Sequence, residues 1–190
     1  NNVFRCDSVV YGLVRVNSGH GELYNNVIVG GSSSVGICLT VNNTINAKVI
    51  NNALSGCNQL ISINELTTFM DTATDLNYNT YACGGSFNCF NWTGVSPNEA
   101  SLATWKTLCG CDGNSKDNAS LLLDSSGSPT EGSPVIGAGM NLTALGNPNL
   151  NKDKILIARP SSGAWSTGAY NFVSNTDTVG PAAPTNLTIQ

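Results

Sequence analysis

A repeated asparagine is the sequence feature that most constrains the fold. It recurs in steps of 24, 26 and 27 residues, at Asn2, Asn26, Asn52 and Asn79. A large side chain stands two positions after each asparagine, at Phe4, Ile28, Leu54 and Tyr81. A small or sulfur-bearing residue stands two positions later again, at Cys6, Gly30, Gly56 and Cys83. Such similar segments at so regular a spacing predict one structural unit repeated along the chain.

A second recurring segment lies between the asparagines. It alternates aliphatic and polar residues, as Val14-Arg15-Val16, Leu39-Thr40-Val41 and Ile61-Ser62-Ile63, and asparagine follows each copy, at positions 17, 42 and 64. Neighbouring residues of a β-strand point to opposite faces, so the aliphatic side chains are expected to point inward. Arg15, Thr40 and Ser62 are then expected to point outward.

A repeat of this length with several short strands per turn predicts a β-solenoid. One coil cannot bury its own inner face, so successive coils stack about 4.8 Å apart, with equivalent residues lying over one another. We therefore expect the four repeated asparagines to form an internal ladder of side-chain amides at a turn, like the amide ladders of stacked strands. A structural role is favoured over a catalytic one, because short turns strongly favour asparagine.

Short motifs near the C-terminus follow the repeat in a fixed order. They are Ser133-Pro134-Val135-Ile136-Gly137-Ala138-Gly139, then Asp153, Arg159-Pro160 and Gly168-Ala169-Tyr170. Together with the repeat, these motifs resemble the final coils and cap of the right-handed parallel β-helix proteins of the pectin-lyase-like superfamily. The chain departs from the pattern at Gly137, in the usual aspartate place, and at Asn171, in place of a common glutamate.

The resemblance covers residues 1–173 and implies an all-β, right-handed parallel β-helix solenoid with one short helix in an insertion. The resemblance and the repeat together predict β-helix coils over 1–82, a disulfide-bearing insertion over 83–132 and a capping segment over 133–173 that covers the last coil. A linker and a terminal strand are expected over 174–190. The superfamily mixes lyases, hydrolases, epimerases and non-catalytic surface proteins, so the resemblance does not settle the activity.

The insertion carries the signals of one helix, expected at about 97–108. Ser96 is a plausible N-cap, Pro97 suits the first helical position, and Glu99 completes a capping box. Leu102 and Trp105 fall on one face, and we expect them to pack the helix onto the coils.

The cysteines indicate an oxidising compartment, because disulfides persist there. Four of them form the candidate set of the insertion: Cys83, Cys89, Cys109 and Cys111. Cys83 and Cys89 are close enough in sequence to close a small loop, and Cys109 or Cys111 can pair back to that loop, but sequence alone leaves the pairing open. A zinc site is the alternative. Disulfides are favoured over zinc because the set lacks paired Cys-x-x-Cys knuckles.

The amino-acid composition limits the environments in which the protein can be expected and the classes of partner that it can bind. Only 11% of the residues are charged and the net charge is -4, which gives no basic track for nucleic acid. No apolar run reaches the roughly 20 residues that a membrane helix needs. The many polar uncharged residues suit an extracellular or cell-surface β-protein. Five Asn-X-Ser/Thr sequons are candidate glycosylation sites, at Asn42, Asn91, Asn118, Asn141 and Asn186.

No catalytic set emerges from the sequence. The lyase chemistry implied by the resemblance uses lysine or arginine as a base beside calcium. Arg15 is therefore the first candidate for the base, and Lys48 is the second. The possible calcium ligands are Asp7, Asp71 and Asp75. Only Thr40 and Ser62 are expected to align with Arg15, so a surface arginine is the favoured interpretation. Hydrolysis needs paired carboxylates, and Glu22 aligns with Lys48 instead.

Binding is the hypothesis that remains. Long β-helix faces suit glycans, and Trp92, outside the repeat, is the candidate for stacking on a sugar ring. We therefore expect the C-terminal portion of a secreted or cell-surface β-helix protein that engages polysaccharide. A structural, adhesive or filament-forming protein that associates through an exposed first coil is the alternative, and a polysaccharide lyase or epimerase is the second alternative.

Overall fold

A computed structural model describes residues 1–6, 12–31, 36–83 and 88–173. Their strands, numbered in chain order, form three sheets. Sheet A contains β1 (Val3–Cys6), β4 (Val27–Gly30), β7 (Ala53–Ser55), β10 (Thr80–Ala82) and β13 (Lys116–Asp117). Sheet B contains β2 (Val14–Gly19), β5 (Ile37–Thr44), β8 (Gln59–Ile63), β11 (Phe90–Trp92) and β12 (Ser96–Glu99). Sheet C contains β3 (Glu22–Tyr24), β6 (Lys48–Ile50) and β9 (Leu76–Asn77).

The chain visits the three sheets in turn, so each coil contributes one strand to each sheet. Coil 1 is β1 to β3, coil 2 is β4 to β6, coil 3 is β7 to β9, and coil 4 begins with β10 and β11. The strand pairs are parallel, except that β12 turns back antiparallel on β11. This is a mostly-β parallel β-helix solenoid, as the repeat predicts.

The register confirms the alignment read from the sequence. Phe4 lies beside Ile28, Ile28 beside Leu54, and Leu54 beside Tyr81. In sheet B, Val14, Leu39 and Ile61 align in the same way. Their side chains belong to the hydrophobic core that fills the centre of the coils.

The small residue in each repeat has a steric reason in coils 2 and 3. Gly30 is the last residue of β4 and Gly56 directly follows β7. A Cβ atom added to either glycine would overlap the backbone of the other. Gly56 also has a φ of +73°, which side-chain-bearing residues rarely adopt. The backbones of the two coils can approach this closely only because both positions are glycine.

The repeated asparagines form the expected ladder. The side-chain oxygen of Asn26 accepts hydrogen bonds from the backbone N–H of Asn2 (3.0 Å) and from its amide Nδ2 (3.3 Å). Asn52 accepts the same two bonds from Asn26, at 3.0 and 2.9 Å. Asn79 accepts them from Asn52, at 2.9 and 3.2 Å. The ladder is directional: each asparagine donates to the next coil along the chain.

The described residues contain two α-helices, α1 (Thr72–Asp75) and α2 (Leu102–Cys109), and a short 3-10 helix at Thr143–Leu145. Helix α2 begins at a different cap from the predicted one. Ser101 is the N-cap and accepts a hydrogen bond from the backbone N–H of Thr104 at 3.2 Å. Ser96, Pro97 and Glu99 are not part of the helix, because strand β12 holds them against β11.

Helix α2 closes the open end of the last coil. Its Leu102 and Trp105 are buried and join the same core as the coil residues, as expected. The indole of Trp105 stacks on the Phe90 ring, with centroids 5.6 Å apart. Phe90 in turn meets Tyr81 edge-on at 5.0 Å. The three aromatic rings therefore extend the hydrophobic core beyond β11 and cover its end.

Residues 118–173 form a segment that we name the C-terminal strap. The sequence predicts that residues 133–173 cover the last coil, but in the structure they lie along the side of the stack. Leu121, Val135 and Ala169 pack on Val27 and Ala53, on the outside of sheet A. A second cluster packs strap residues on the outside of coils 1 and 2, and contains Tyr24, Ile50, Leu142, Leu150 and Trp165.

The C-terminal motif residues hold the strap in place. Asp153 accepts backbone N–H bonds from Ile155, Ile157 and Asn171, at 2.9 to 3.1 Å. The buried Arg159 donates to the carbonyl oxygens of Ser166 and Gly168, at 3.1 and 2.8 Å. These contacts fix the loop conformations from which the strap reaches the coils.

The strap also reaches back to the first coil. The Asn1 side chain donates to the carbonyl oxygens of Asn149 and Lys152, at 3.0 and 2.8 Å. Arg5 donates to the carbonyl oxygen of Asp124 at 2.7 Å. These hydrogen bonds attach coil 1 to the strap, although the strap follows coil 4 in the sequence. The predicted linker and terminal strand over 174–190 lie outside the described residues.

Three disulfides lie within the described residues, which indicates an oxidising environment. Cys83 pairs with Cys89, as the sequence suggests. Cys109 pairs with Cys111 and not with the 83–89 loop. The third bridge joins Cys38 of coil 2 to Cys57 of coil 3, a pair that the sequence analysis does not single out.

Replacing both Cys38 and Cys57 with alanine is expected to lower the free energy of unfolding by about 3 kcal/mol, because the bridge restricts the unfolded chain. It joins residues 19 apart, whereas Cys109 and Cys111 are 2 apart. The same double replacement at Cys109 and Cys111 should therefore cost about half as much. Denaturant unfolding of the two double variants measures the difference, and equal losses would contradict this account.

No helix among the described residues combines the length and the apolar character that crossing a bilayer requires.

Candidate functional site

The outer face of sheet B carries two rows of polar side chains. In the first row, Arg15 lies beside Thr40, Thr40 beside Ser62, and Ser62 beside Asn91. In the second row, Asn17 lies beside Asn42. Asn64 extends this row, because its backbone N–H bonds to the Val41 carbonyl oxygen at 2.9 Å. We name these residues the polar strip: Arg15, Asn17, Thr40, Asn42, Ser62, Asn64 and Asn91.

Alternation along the strands explains why these side chains share one face. Val41 and Ile63, which flank strip positions, point into the hydrophobic core. A slip of one residue would exchange the two faces and bury the polar side chains, so burial of the aliphatic residues fixes the register. The sequence predicted this outward direction for Arg15, Thr40 and Ser62, and the structure confirms their alignment.

The strip is graded in exposure. Arg15 and Asn17 on coil 1 are exposed, the side chains of Asn42 and Ser62 are half-buried, and Thr40 is buried. A shallow pocket of about 180 Å³ lies beside Arg15 and is lined by Gly12, Arg15, Ile37 and Thr40. The strip therefore has exposed side chains on coil 1 and, beside Arg15, a shallow pocket between coils 1 and 2.

The chemistry of the strip is that of hydroxyl and amide groups. Such groups both donate and accept hydrogen bonds, which matches the hydroxyl groups of a sugar chain. Arg15 supplies the single charge among the strip residues. Asn91 donates to the Ser62 hydroxyl at 3.4 Å, a long and therefore weak bond. The Asn91 and Ser62 side chains are thus available to exchange this contact for those of a ligand.

Trp92 does not lie where a sugar could stack on it. Its side chain is 7% exposed and belongs to the hydrophobic core. The indole meets the Phe69 ring edge-on, with centroids 5.3 Å apart. Trp92 alternates with Asn91 on β11, so the outward position belongs to the asparagine. The interpretation of Trp92 as a carbohydrate platform is corrected by this burial.

The structure gives no catalytic partner to Arg15 within the strip. Proton abstraction beside a carboxylate calls for a base and a neutralising cation, and the strip residues around Arg15 are hydroxyls and amides. Lys48 lies beside Glu22 on sheet C, as the sequence predicts, and sheet C is a different sheet from that of Arg15.

The proposed calcium ligands do not form a site within the described part of the chain. Asp71 caps helix α1 by accepting the Ala73 N–H at 3.0 Å. Asp75 accepts the backbone N–H of Asp71 at 3.1 Å. Asp7 lies outside the described residues. Across residues 1–6, 12–31, 36–83 and 88–173, no group of three or more His, Cys, Asp or Glu side chains is arranged to hold a metal ion.

Asp112 is the buried ionisable group that most resembles a functional residue. Its carboxylate accepts hydrogen bonds from Asn79 (3.2 Å), Tyr81 (3.0 Å) and the Trp105 indole (2.8 Å). It also accepts one from the Ser115 hydroxyl. Burial raises the pKa of Asp112, and these hydrogen bonds lower it by less. Burial likewise raises the pKa of Tyr81, and the neighbouring Asp112 adds to that rise.

The position of Asp112 indicates a structural role. It accepts from Asn79 Nδ2 just as a further asparagine of the ladder would, and Ser115 accepts the Asn79 backbone N–H at 2.8 Å. A carboxylate is an acceptor only, so it ends the ladder without needing another acceptor beyond it. Asp112 is fully buried under Trp105, and this burial separates it from any substrate.

Replacing Asp112 with asparagine is expected to lower the free energy of unfolding by about 2 kcal/mol, because an amide N–H₂ would face buried donors. The loss should depend on pH. A raised pKa in the folded state stabilises the fold fully below the ordinary value of 3.8, and this contribution disappears as the pH rises through the folded value. The difference between the two proteins should therefore be larger near pH 4 than near pH 7 in denaturant unfolding. A difference that grows with pH would contradict the assignment.

The sequons fall on different surfaces. Asn42 and Asn91 belong to the polar strip. Asn118 is the first residue of the strap, directly after strand β13, and Asn141 lies further along the strap. Asn186 lies outside the described residues.

The second row of the strip and Asp112 were not identified as a site from the sequence. A signal for the row exists, since asparagine follows each of the three aliphatic triplets. The signal for Asp112 is absent, because it lies 33 residues after Asn79 and so breaks the spacing of the repeat.

A comparison of the chain with protein-family models, curated proteins and solved structures finds no match.

Proposed function

We propose that this chain is part of a secreted or cell-surface protein that binds polysaccharide along the polar strip, and that it belongs with the pectin-lyase-like β-helix proteins. The single observation that carries the binding proposal is the alignment of hydroxyl and amide side chains on adjacent coils, outward from sheet B. Coils about 4.8 Å apart present an amide at each step of the second row, at Asn17, Asn42 and Asn64, which suits a polymer with a regular repeat. The three disulfides support an extracellular location.

The proposed role is binding without catalysis by this segment. Arg15 is the strip's one charged side chain, and its neighbours along the row are Thr40 and Ser62. In this proposal Arg15 donates hydrogen bonds to sugar oxygens at the coil 1 end, and Asn17 and Ser62 contact the polymer further along. No cofactor takes part.

Binding can be measured with the chain secreted into a bacterial periplasm, which forms disulfides. A panel of neutral polysaccharides and polygalacturonate is tested by isothermal titration calorimetry. The triple variant Arg15→Ala, Asn17→Ala, Ser62→Ala is expected to bind at least tenfold more weakly than the wild type. The matched control is Lys154→Ala, Ser161→Ala, Ser162→Ala, at exposed positions on the strap, and it should bind like the wild type.

Two results would overturn the binding proposal. One is the absence of binding to every polysaccharide of the panel. The other is equal weakening in the strip variant and the strap control. Incubation with uronate polymers and calcium tests the lyase alternative, because lyases release an unsaturated product. If the wild type releases this product and Arg15→Ala does not, the segment is catalytic and the proposal of binding alone is wrong.

A structural or adhesive protein is the second candidate, and one observation favours it. Strands β1, β2 and β3 of coil 1 each pair on one side only among the described strands. Such edges can pair with another chain. Helix α2 packs on the core at the other end of the stack, so association through the coil 1 edges would join copies end to end. Sedimentation velocity over a range of concentrations tests this, and a monomer at every concentration would exclude it.

A further inference from the structure

The described sequons differ in what surrounds the amide nitrogen that would carry a glycan. The Asn42 side chain makes no hydrogen bond to the described residues and is half-buried on the outward face of β5. The preceding residue, Val41, is buried in the core, so alternation along the strand directs the side chain of Asn42 away from the core. A glycan on Asn42 would therefore extend over the polar strip.

Asn91 is also compatible with a glycan. Its amide Nδ2 contacts the Ser62 hydroxyl at 3.4 Å, and its side-chain oxygen accepts the Asn98 N–H at 3.3 Å. A glycosylated amide keeps one N–H and its oxygen, so both contacts can survive the modification. The third residue of the sequon, Thr93, is exposed.

Asn118 is in the opposite situation. Its amide nitrogen is buried and has no hydrogen-bond partner among the described residues. A glycan attached there would have to displace the chain that covers it. Asn141 lies on the strap, and its nitrogen donates to the Pro160 carbonyl oxygen at 3.3 Å in an exposed contact. Asn118 is thus the described sequon that the fold closes to modification.

We propose that N-glycans attach at Asn42 and Asn91 but not at Asn118, and that the two attached glycans cover the polar strip and block polysaccharide binding. The second half of this inference rests on the binding function proposed above, whereas the occupancy pattern does not. An N-glycan is bulky, and adjacent coils are only about 4.8 Å apart. A glycan on coil 2 at Asn42 therefore covers the neighbouring positions Asn17 and Asn64. The glycan on Asn91 covers Ser62 in the same way.

The occupancy half is tested on the full chain secreted from a host that adds N-glycans. Mass spectrometry of its glycopeptides gives the occupancy of each sequon. We expect glycans at Asn42 and Asn91 and none at Asn118. A folded, secreted chain with a glycan at Asn118, or with unmodified Asn42 and Asn91, would overturn the inference.

The binding half compares this glycosylated chain with the same sequence from the bacterial periplasm, using the polysaccharide bound best in the panel. The glycosylated chain should bind at least tenfold more weakly. Thr93→Ala removes the Asn91 sequon without altering a strip residue and should restore part of the affinity. Thr143→Ala removes the Asn141 sequon on the strap and should restore none.

The outcomes separate the two proposals. If the expected sequons are occupied but neither form binds any polysaccharide, the binding function fails and with it the blocking role, while the glycan placement stands. If the unglycosylated form binds and the glycosylated form binds equally well, the blocking role alone fails.

Discussion

Replacing Asn52 with alanine is expected to lower the free energy of unfolding by about 4 kcal/mol. Asn52 is fully buried, and its oxygen accepts both the backbone N–H and the amide of Asn26. Its own amide donates to the carbonyl oxygens of Leu23 and Ile50, at 2.9 and 3.1 Å. Alanine would remove the acceptor of the buried Asn26 backbone N–H and amide. A buried polar group left without a partner costs about 1–3 kcal/mol.

Denaturant unfolding of Asn52→Ala measures the loss, with Asn58→Ala as the matched control. Asn58 is an exposed asparagine of the same coil. Its replacement should change the free energy of unfolding by less than about 0.5 kcal/mol. Losses of similar size in the two variants would show that Asn52 holds no ladder together.

Replacing Trp105 with alanine is expected to cost about 4 kcal/mol, the typical loss for a buried tryptophan. The Trp105 side chain is fully buried and stacks on Phe90 at the end of the core. Its indole N–H donates to Asp112 at 2.8 Å, so the change also removes a donor from a buried carboxylate. The end of coil 4 would then be open to water.

Leu108→Ala on the same helix is the control for Trp105→Ala. Leu108 is 49% exposed, so its truncation should cost less than about 1 kcal/mol. If Trp105→Ala unfolds at the same denaturant concentration as Leu108→Ala, helix α2 does not close the core.

The repeat made the coils and the ladder predictable from the sequence. Stacking places equivalent residues side by side, so one spacing determines the neighbours of Asn26, Asn52 and Asn79 together. The same logic gave the outward row of Arg15, Thr40 and Ser62. These predictions succeeded because a solenoid converts a sequence period directly into contacts.

Features outside the repeat were not predictable in this way. The capping-box residues Ser96 and Glu99 fit a helix locally, but pairing of β12 with β11 overrides that preference. Ser101 takes over as N-cap, and the helix begins later than expected. Tertiary pairing that depends on one antiparallel turn leaves no periodic trace in the sequence.

The strap and the Trp92 environment show the same limit. Packing of Val135 and Ala169 on Val27 depends on contacts between distant parts of the chain, which a motif order does not reveal. Gly168 shows how close this packing is, because a Cβ atom there would lie 2.8 Å from Val27 Cγ2. The loop-like sequence around Trp92 predicts an exposed side chain. In the structure, β11 extends sheet B and directs Trp92 into the core.

The directional asparagine ladder through stacked coils is the central claim, and trans-hydrogen-bond NMR couplings test it most directly. Such a coupling joins the backbone ¹⁵N of a donor to the side-chain ¹³Cγ of the acceptor. Couplings are expected from Asn26 to Asn52 and from Asn52 to Asn79, where the donor–acceptor distances are 3.0 and 2.9 Å. If both couplings are absent while those within helix α2 are observed, the asparagines do not form a ladder and the stacked coils are contradicted.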